Sequence, residues 1–193
     1  MKRVYIVHGW EGAPTEPQIS WIRSQLEAKG YAVEAPAMPN SATPVIEAWV
    51  RKLQEVVQNP DSDTYFIGHS IGGQAIMRYL AGLPQDTRIG GAIFLAGWFV
   101  LNNLEDEEAE KIAKPWIETP IDFETLKKRT DNYVAILSDN DHWVPADITK
   151  SIFETKLGAR VITEHNQGHF TAEEGVTEVP VVIQELERIS TKS

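Results

Sequence analysis

Six short runs of β-branched and aromatic residues alternate with longer segments at helical spacing, and this alternation constrains the fold more than any other feature of the sequence. The runs cover residues 4–7, 31–35, 64–68, 91–96, 132–138 and 159–163. A chain that alternates strands with helices predicts a parallel sheet, because each helix carries the chain back to the edge where the previous strand began. We therefore predict an α/β fold with six parallel strands.

Four segments repeat apolar residues at three- and four-residue steps and are predicted as helices: 17–30, 43–58, 72–81 and 172–189. Gly30 supplies a stop signal for the first helix. In the second helix, Thr43 is the predicted N-cap and Pro44 the first helical residue. Early irregularity is expected in the last helix.

The alternation of strand-like and helix-like segments is interrupted between residues 97 and 123, where aromatic and apolar residues surround an acidic helical stretch, LEDEEAEKIA. This segment is predicted to be either a surface excursion or a small cap. The rest of the 193 residues contains no repeat, low-complexity tract or linker-like change of composition. We therefore expect a single domain over 1–193 with a short cap-like excursion at about 97–123.

Charge and composition exclude several classes of function. The chain has 18 basic and 28 acidic residues, and its net charge of −10 disfavours nucleic acid and anionic lipid as partners. It has no cysteine, which rules out disulfides, a thiolate nucleophile and a cysteine-ligated zinc site. The apolar stretch in the opening MKRVYIVHGW is too short for a signal peptide, and no long apolar run follows. We expect a cytoplasmic protein without a membrane partner.

The segment FIGHSIGG places Ser70 between Gly68 and Gly72, after a predicted strand and before a predicted helix. Glycines at these positions suit a tight strand-to-helix turn, a nucleophile elbow, which lifts the serine hydroxyl clear of the sheet. The amide of Ile71 at the start of the helix would then face a developing oxyanion. The pattern alone is common, but this context predicts that Ser70 is a nucleophile rather than one polar residue in a turn.

A serine nucleophile needs a histidine base, and the chain has five histidines. His69 is next to Ser70 in an extended strand end, so its side chain is expected to point away from the serine. His8 is interpreted as a buried, hydrogen-bonded residue, and His142 as a rim or substrate contact. His165 and His169 both follow the last strand, and we favour His169 because GHF places it in a loop just before the final helix.

The base needs an acid to hold it in the correct tautomer. The segment LSDNDHWVPAD offers Asp139, Asp141 and Asp147 after the fifth strand. Asp147 is expected in the first turn of the next helix, where a carboxylate is usually solvated or caps the helix. We choose Asp141, which lies farther into the loop, and keep Asp139 as the alternative that caps or closes the turn.

With HGW after the first strand, GHSIGG after the third, DNDHWVP after the fifth and GHF after the sixth, the chain resembles the α/β-hydrolase superfamily over nearly its whole length. Within it, the chain is similar to the compact serine hydrolases grouped with retinoblastoma-binding protein nine and the bacterial YdeN proteins. The resemblance implies a sheet of order 2-1-3-4-5-6 with helices on both faces. It also implies a triad of Ser70, Asp141 and His169, and the amide of Trp10 as the second oxyanion donor.

The expected reaction is hydrolysis of a small carboxylic ester through an acyl-enzyme on Ser70. Two alternatives stay open: an amide or thioester hydrolase with the same triad, and a non-catalytic binding module on this fold. Trp98, Trp116 and Trp143, together with Trp10, could wall a substrate pocket or simply cover the core.

No cofactor is expected, because no nucleotide-binding glycine motif occurs. No metal is expected either, since the pair His165 and His169 has a glycine between its members and no internal glutamate. Without cysteine, the Leu-x-Cys-x-Glu motif that links the mammalian group member to a retinoblastoma-type pocket is missing. No such interaction is therefore predicted.

Overall fold

The computed structural model describes residues 1–191 and forms a six-stranded sheet in which every neighbouring pair of strands is parallel. The strands are β1 Arg3–Val7, β2 Ala32–Glu34, β3 Thr64–His69, β4 Gly91–Leu95, β5 Tyr133–Ser138 and β6 Arg160–Glu164. Their order is β2-β1-β3-β4-β5-β6. The predicted strands, their parallel direction and their order are all confirmed.

The central strands are buried on both faces, which explains why they read as continuous apolar runs rather than as alternating patterns. In β1, for example, Val4 and Ile6 pack into one apolar cluster, whereas Tyr5 and Val7 pack into the other. Successive side chains of a strand point to opposite faces. The sheet therefore separates two apolar cores, each of which a layer of helices must cover.

The helices that follow these strands lie on both faces, as predicted. They are α1 Pro17–Ala28, α2 Ile46–Val56, α3 Ile71–Ala81, α4 Glu107–Glu118, α5 Phe123–Lys127, α6 Ala146–Ile152 with a π-helical turn Phe153–Leu157, and α7 Pro180–Ser190, preceded by a 3₁₀ turn Ala172–Glu174. Helices α1 and α7 bury their apolar residues in one cluster, and α2 and α3 in the other. Within residues 1–191, none of these helices is both long and apolar enough to cross a bilayer.

The start of α2 differs from the prediction. Val45 is the N-cap and Ile46 the first helical residue, so Thr43 and Pro44 precede the helix. The Pro44 carbonyl instead accepts a hydrogen bond of 3.0 Å from the indole Nε1–H of Trp116. A contact across the fold thus overrides the local helix-start signal carried by Thr43 and Pro44.

The excursion after β4 contains α4 and contributes a wall to the cleft beside Ser70. Asp106 caps α4 by accepting hydrogen bonds from the amides of Glu108 and Ala109. At the other end of the helix, the Trp116 side chain is buried in the core. Both ends of α4 are therefore fixed, one by a cap and one by packing.

Candidate active site

Ser70 occupies a strained backbone conformation between β3 and α3, with φ 53° and ψ −124°. Its neighbours leave room only for glycine. A Cβ atom on Gly68 would lie 2.5 Å from the backbone nitrogen of Gly73, and one on Gly72 would lie 2.4 Å from the carbonyl oxygen of Val7. The two glycines of the motif therefore permit the close approach of α3 to β1 and β3 that produces this turn.

Ser70 and His169 both line a cleft of about 610 Å³. Ser70 is 7% exposed, and its Oγ accepts a hydrogen bond of 3.2 Å from Nε1–H of Trp98. Within residues 1–191 the serine and histidine side chains are not hydrogen-bonded to each other. A hydroxyl that accepts one bond keeps its own hydrogen available for donation, so the Trp98 contact leaves that hydrogen free.

Asp141 and His169 form a buried pair. Nδ1–H of His169 donates to Oδ2 of Asp141 over 2.7 Å, and the two side chains are 11% and 2% exposed, respectively. The other carboxylate oxygen accepts from the amides of Trp143 and Val144, each at 3.0 Å. Because a carboxylate only accepts, the pair fixes the proton of His169 on Nδ1 and leaves Nε2 as an acceptor.

Three contacts that the sequence did not reveal hold the His169 loop in place. The His169 amide donates to Oε2 of Glu174 over 2.5 Å, and its carbonyl accepts from Nε2–H of His69 over 2.8 Å. The Gly168 amide donates to the side-chain oxygen of Asn140 over 2.8 Å. These three partners come from separate parts of the chain. Of the three, only His69 belongs to a motif that the sequence analysis singled out, the GHS segment around Ser70.

His69 does not simply point away from the site, as expected from strand alternation. Its ring lies 5.2 Å from the ring of His169, and it is 3% exposed. Burial is the main cause that lowers the pKa of His69 to about 3, and repulsion from His169 is the second. Its Nδ1 has no hydrogen-bond partner in the described chain. His69 is therefore a neutral residue that supports the loop.

His8 is buried and hydrogen-bonded, in line with its interpretation. Its Nδ1–H donates to the Gly9 carbonyl over 2.9 Å, its Nε2 accepts from the Met38 amide, and burial lowers its pKa. The Gly9 carbonyl belongs to a trans peptide, so the N–H of Trp10 points the opposite way. A Cβ on Gly9 would lie 3.4 Å from Cβ of Ser70, so this peptide packs against the serine.

The remaining candidates lie outside the cleft. Asp139 instead pairs with His165 over 2.5 Å, and the Asn166 amide donates to its other oxygen. The Asn166 bond, and then the bond to His165, lower the pKa of Asp139. His142 is exposed, and Asp147 lies in the first turn of α6, as expected. In residues 1–191 no three histidine or acidic side chains are grouped to hold a metal ion.

The predicted pocket tryptophans separate into two groups. Trp10, Trp98 and Trp143 line the cleft, and the Trp143 ring meets the His169 ring edge-on at 5.4 Å. Trp116 does not line it: its side chain is 1% exposed, packs against Trp49 and lines a smaller neighbouring groove. For Trp116 the structure thus favours the alternative in which the ring covers the core.

Comparisons with known proteins give a consistent assignment. The family model described as serine hydrolase matches residues 4–188. YdeN of Bacillus subtilis is 26% identical over 185 residues, which cover 96% of this chain and 94% of YdeN. The serine hydrolase RBBP9 of Rattus norvegicus is 27% identical over 164 residues, covering 84% of this chain and 78% of RBBP9.

Solved structures agree with this result. The crystal structure of the Bacillus subtilis ydeN gene product matches with a TM-score of 0.89 over 99% of this chain and all of that one, at 26% identity. Est1E of Butyrivibrio proteoclasticus, solved with ferulic acid bound, matches with a TM-score of 0.69 over 97% of this chain and 90% of that one. Its 15% identity supports a shared fold only. From the match of the family model over nearly the whole sequence, the chain belongs to the serine hydrolase family.

Proposed function

We propose that the protein hydrolyses small carboxylic esters through an acyl-enzyme on Ser70. The observation that carries the proposal is the common cleft, in which Ser70 on its strained turn and His169, oriented by Asp141, line the same space. Among proteins of similar fold, one is described as a carboxylesterase, and another was solved with ferulic acid bound. Both are other proteins, but their descriptions are consistent with the chemistry proposed here.

In the first half of the reaction, Ser70 Oγ attacks the ester carbonyl carbon while its proton passes to Nε2 of His169. Asp141 stabilises the imidazolium that forms. The carbonyl electron pair moves onto oxygen, where the amides of Trp10 and Ile71 donate to it. In residues 1–191 the Trp10 amide makes no backbone hydrogen bond, and Ile71 begins α3, where amides lack partners within the helix.

The tetrahedral intermediate then collapses. The bond from carbon to the alcohol oxygen breaks, and His169 returns its proton to the leaving alcohol. Water attacks the acyl-enzyme in the second half, giving its proton to His169, and collapse releases the carboxylic acid while Ser70 regains its hydrogen. The ester, one water molecule and the side chains of Ser70 and His169 supply every atom and proton that is transferred, so this reaction requires no cofactor.

The test is a pair of serine variants examined with a fluorophosphonate probe and p-nitrophenyl esters. Ser70→Ala should lose the probe adduct and lower kcat by about 10⁴ to 10⁶, while far-UV circular dichroism stays unchanged. Ser24→Ala, on the exposed side of α1, should label and turn over like the wild type. Retained labelling or turnover in Ser70→Ala would overturn the proposal, and a wild type that is neither labelled nor active would favour a binding module. Matched thioester and amide substrates then rank the bonds that are cleaved.

A further inference from the structure

The cleft that contains Ser70 has a strongly acidic lining. Six carboxylates contribute to its walls: Glu11, Glu16, Glu105, Asp106, Glu108 and Glu173. No lysine or arginine among residues 1–191 lines it. These acidic residues come from three segments of the chain: the loop after β1, the start of α4 and the segment after His169.

These charges are not neutralised by ion pairs. Within the described chain none of the six forms a salt bridge. Asp106 accepts only from backbone amides, and Glu16 accepts only from the Ala13 amide and the Gln18 side chain. Bonds from neutral donors leave the full negative charge in place. A cleft lined by one sign of charge concentrates ligands of the opposite sign.

Aromatic rings in the same cleft provide an independent reason to expect a cation. Trp10 and Trp143 are partly exposed there, and the indole of Trp98 reaches Ser70 from the cleft wall. Indole faces attract ammonium groups, and quaternary ammonium ligands in particular are bound by aromatic surfaces. Leu101, Leu104 and Ile112 add apolar surface for the hydrocarbon part of a substrate.

We propose that the site selects substrates that carry a positive charge, namely esters with an ammonium group in the acyl or the alcohol part. This inference rests on the proposed function of Ser70 and specifies its substrate class. Carboxylates and aromatic faces stabilise the cation together, whereas an anionic ester meets six like charges as it enters. A neutral ester of the same shape is also accepted, but neither the carboxylates nor the indole faces attract it as they attract a cation.

The experiment compares three acetate esters: acetylcholine, dimethylbutyl acetate with carbon in place of the quaternary nitrogen, and an ester with a carboxylate at that position. We expect kcat/KM for the cationic ester to exceed that of the neutral one by about tenfold at low salt. The anionic ester should be the poorest substrate. In about 0.5 M NaCl the preference should shrink, because the charges at the cleft opening are screened. A ratio of one or less at low salt would overturn the inference.

Matched variants on one helix locate the effect. Glu108→Gln removes a charge from the cleft wall and should lower the cationic preference. Combined with Glu173→Gln from the turn before α7, it should lower the preference to about threefold or less. Glu110→Gln makes the same change on α4 outside the cleft and should keep the wild-type ratio. An equal loss in Glu110→Gln would point to overall charge rather than to the cleft.

Failure of the inference and failure of the proposed function give different results. If the neutral ester is hydrolysed without a cationic preference, only the charge selectivity is wrong. If no ester is hydrolysed, the proposed function is wrong, and binding then decides the inference. Isothermal titration of Ser70→Ala with the cationic and neutral esters should give tighter binding of the cationic one, and equal or weaker binding would refute the selectivity.

Discussion

Two aspartate–histidine pairs form at the same end of the sheet, and burial distinguishes them more clearly than distance does. The Asp139–His165 pair spans 2.5 Å with side chains 42% and 81% exposed, whereas the Asp141–His169 pair spans 2.7 Å with side chains 2% and 11% exposed. A pair of side chains that water surrounds contributes little to stability, whereas a buried hydrogen bond strongly orients both partners. Only the second pair borders the cleft.

This contrast provides a direct test of the proposed acid. Asp141→Asn keeps the shape of the side chain, but its one oxygen is needed by the amides of Trp143 and Val144. An NH2 donor then faces His169 and favours the wrong tautomer, so kcat should fall by about 10⁴. Asp139→Asn makes the same change in the exposed pair and should leave kcat within about threefold of the wild type. Steady-state kinetics on one p-nitrophenyl ester measure both variants. Equal losses would mean that the two pairs share one role.

The residues that could be proposed from the sequence are those whose role only a few residue types can perform. Five histidines and a short acidic loop left few combinations, and elimination arrived at Asp141 and His169. Supporting contacts cannot be found this way. The bond that the His169 amide donates to Glu174 and the bond that Trp98 donates to Ser70 depend on how distant segments meet in space. Carboxylates and indoles are common enough that no local pattern marks these two.

At the scale of elements, the turn between β3 and α3 depends on the lack of a side chain at Gly72. A Cβ there would lie 2.4 Å from the carbonyl oxygen of Val7 and 2.7 Å from that of His8, both of which are backbone atoms. Backbone of a buried strand cannot move aside as a flexible side chain can. The helix would have to shift away from β1, and Ser70 would shift with it.

Gly72→Ala should therefore lower the free energy of unfolding by about 3 kcal/mol or more, the upper end of the usual cost of overpacking. Gly82→Ala is the matched control at the other end of α3. Its φ of −81° suits alanine, and the nearest atoms would lie 3.6 Å from the new Cβ, so the change should be neutral or stabilise by up to about 1 kcal/mol. Urea denaturation measures both variants, and similar values would contradict the packing argument.

Strands were predicted more accurately than helix ends because their signal is burial on both faces. Tyr133–Ser138 is wholly buried, and its apolar run was visible in the sequence. The ends of helices depend on contacts across the fold. Pro44 is held by Trp116 rather than by α2, and α4 continues past Pro115 to Glu118 although the predicted acidic stretch ended before that proline. Burial of Trp116 stabilises the last turn of α4 despite the proline.

At the scale of the whole molecule, the site encloses imidazoles that stay neutral. His8 follows β1 and His69 ends the neighbouring strand β3, and both side chains are buried. Burial is the main cause that lowers the pKa of each. An imidazolium there would lose its hydration without gaining a carboxylate partner in direct contact. The fold thus holds both rings in their uncharged form, at the cost of tolerance to acid.

The stability of the protein should therefore fall as the pH drops below about 6.5, the ordinary pKa of histidine. Between that value and about 3, the lowered pKa of His69, the unfolded chain binds a proton that the native chain does not, so the free energy of unfolding decreases with decreasing pH. One such histidine contributes a slope of up to about 1.4 kcal/mol per pH unit.

His69→Gln keeps an amide donor for the His169 carbonyl and should reduce the measured slope by about that amount. His142→Gln removes an exposed ring that forms no ion pair within residues 1–191 and should leave the slope unchanged. Urea denaturation at a series of pH values between about 4 and 7 measures the slopes, and parallel curves for the wild type and His69→Gln would show that the buried ring does not set the response to acid.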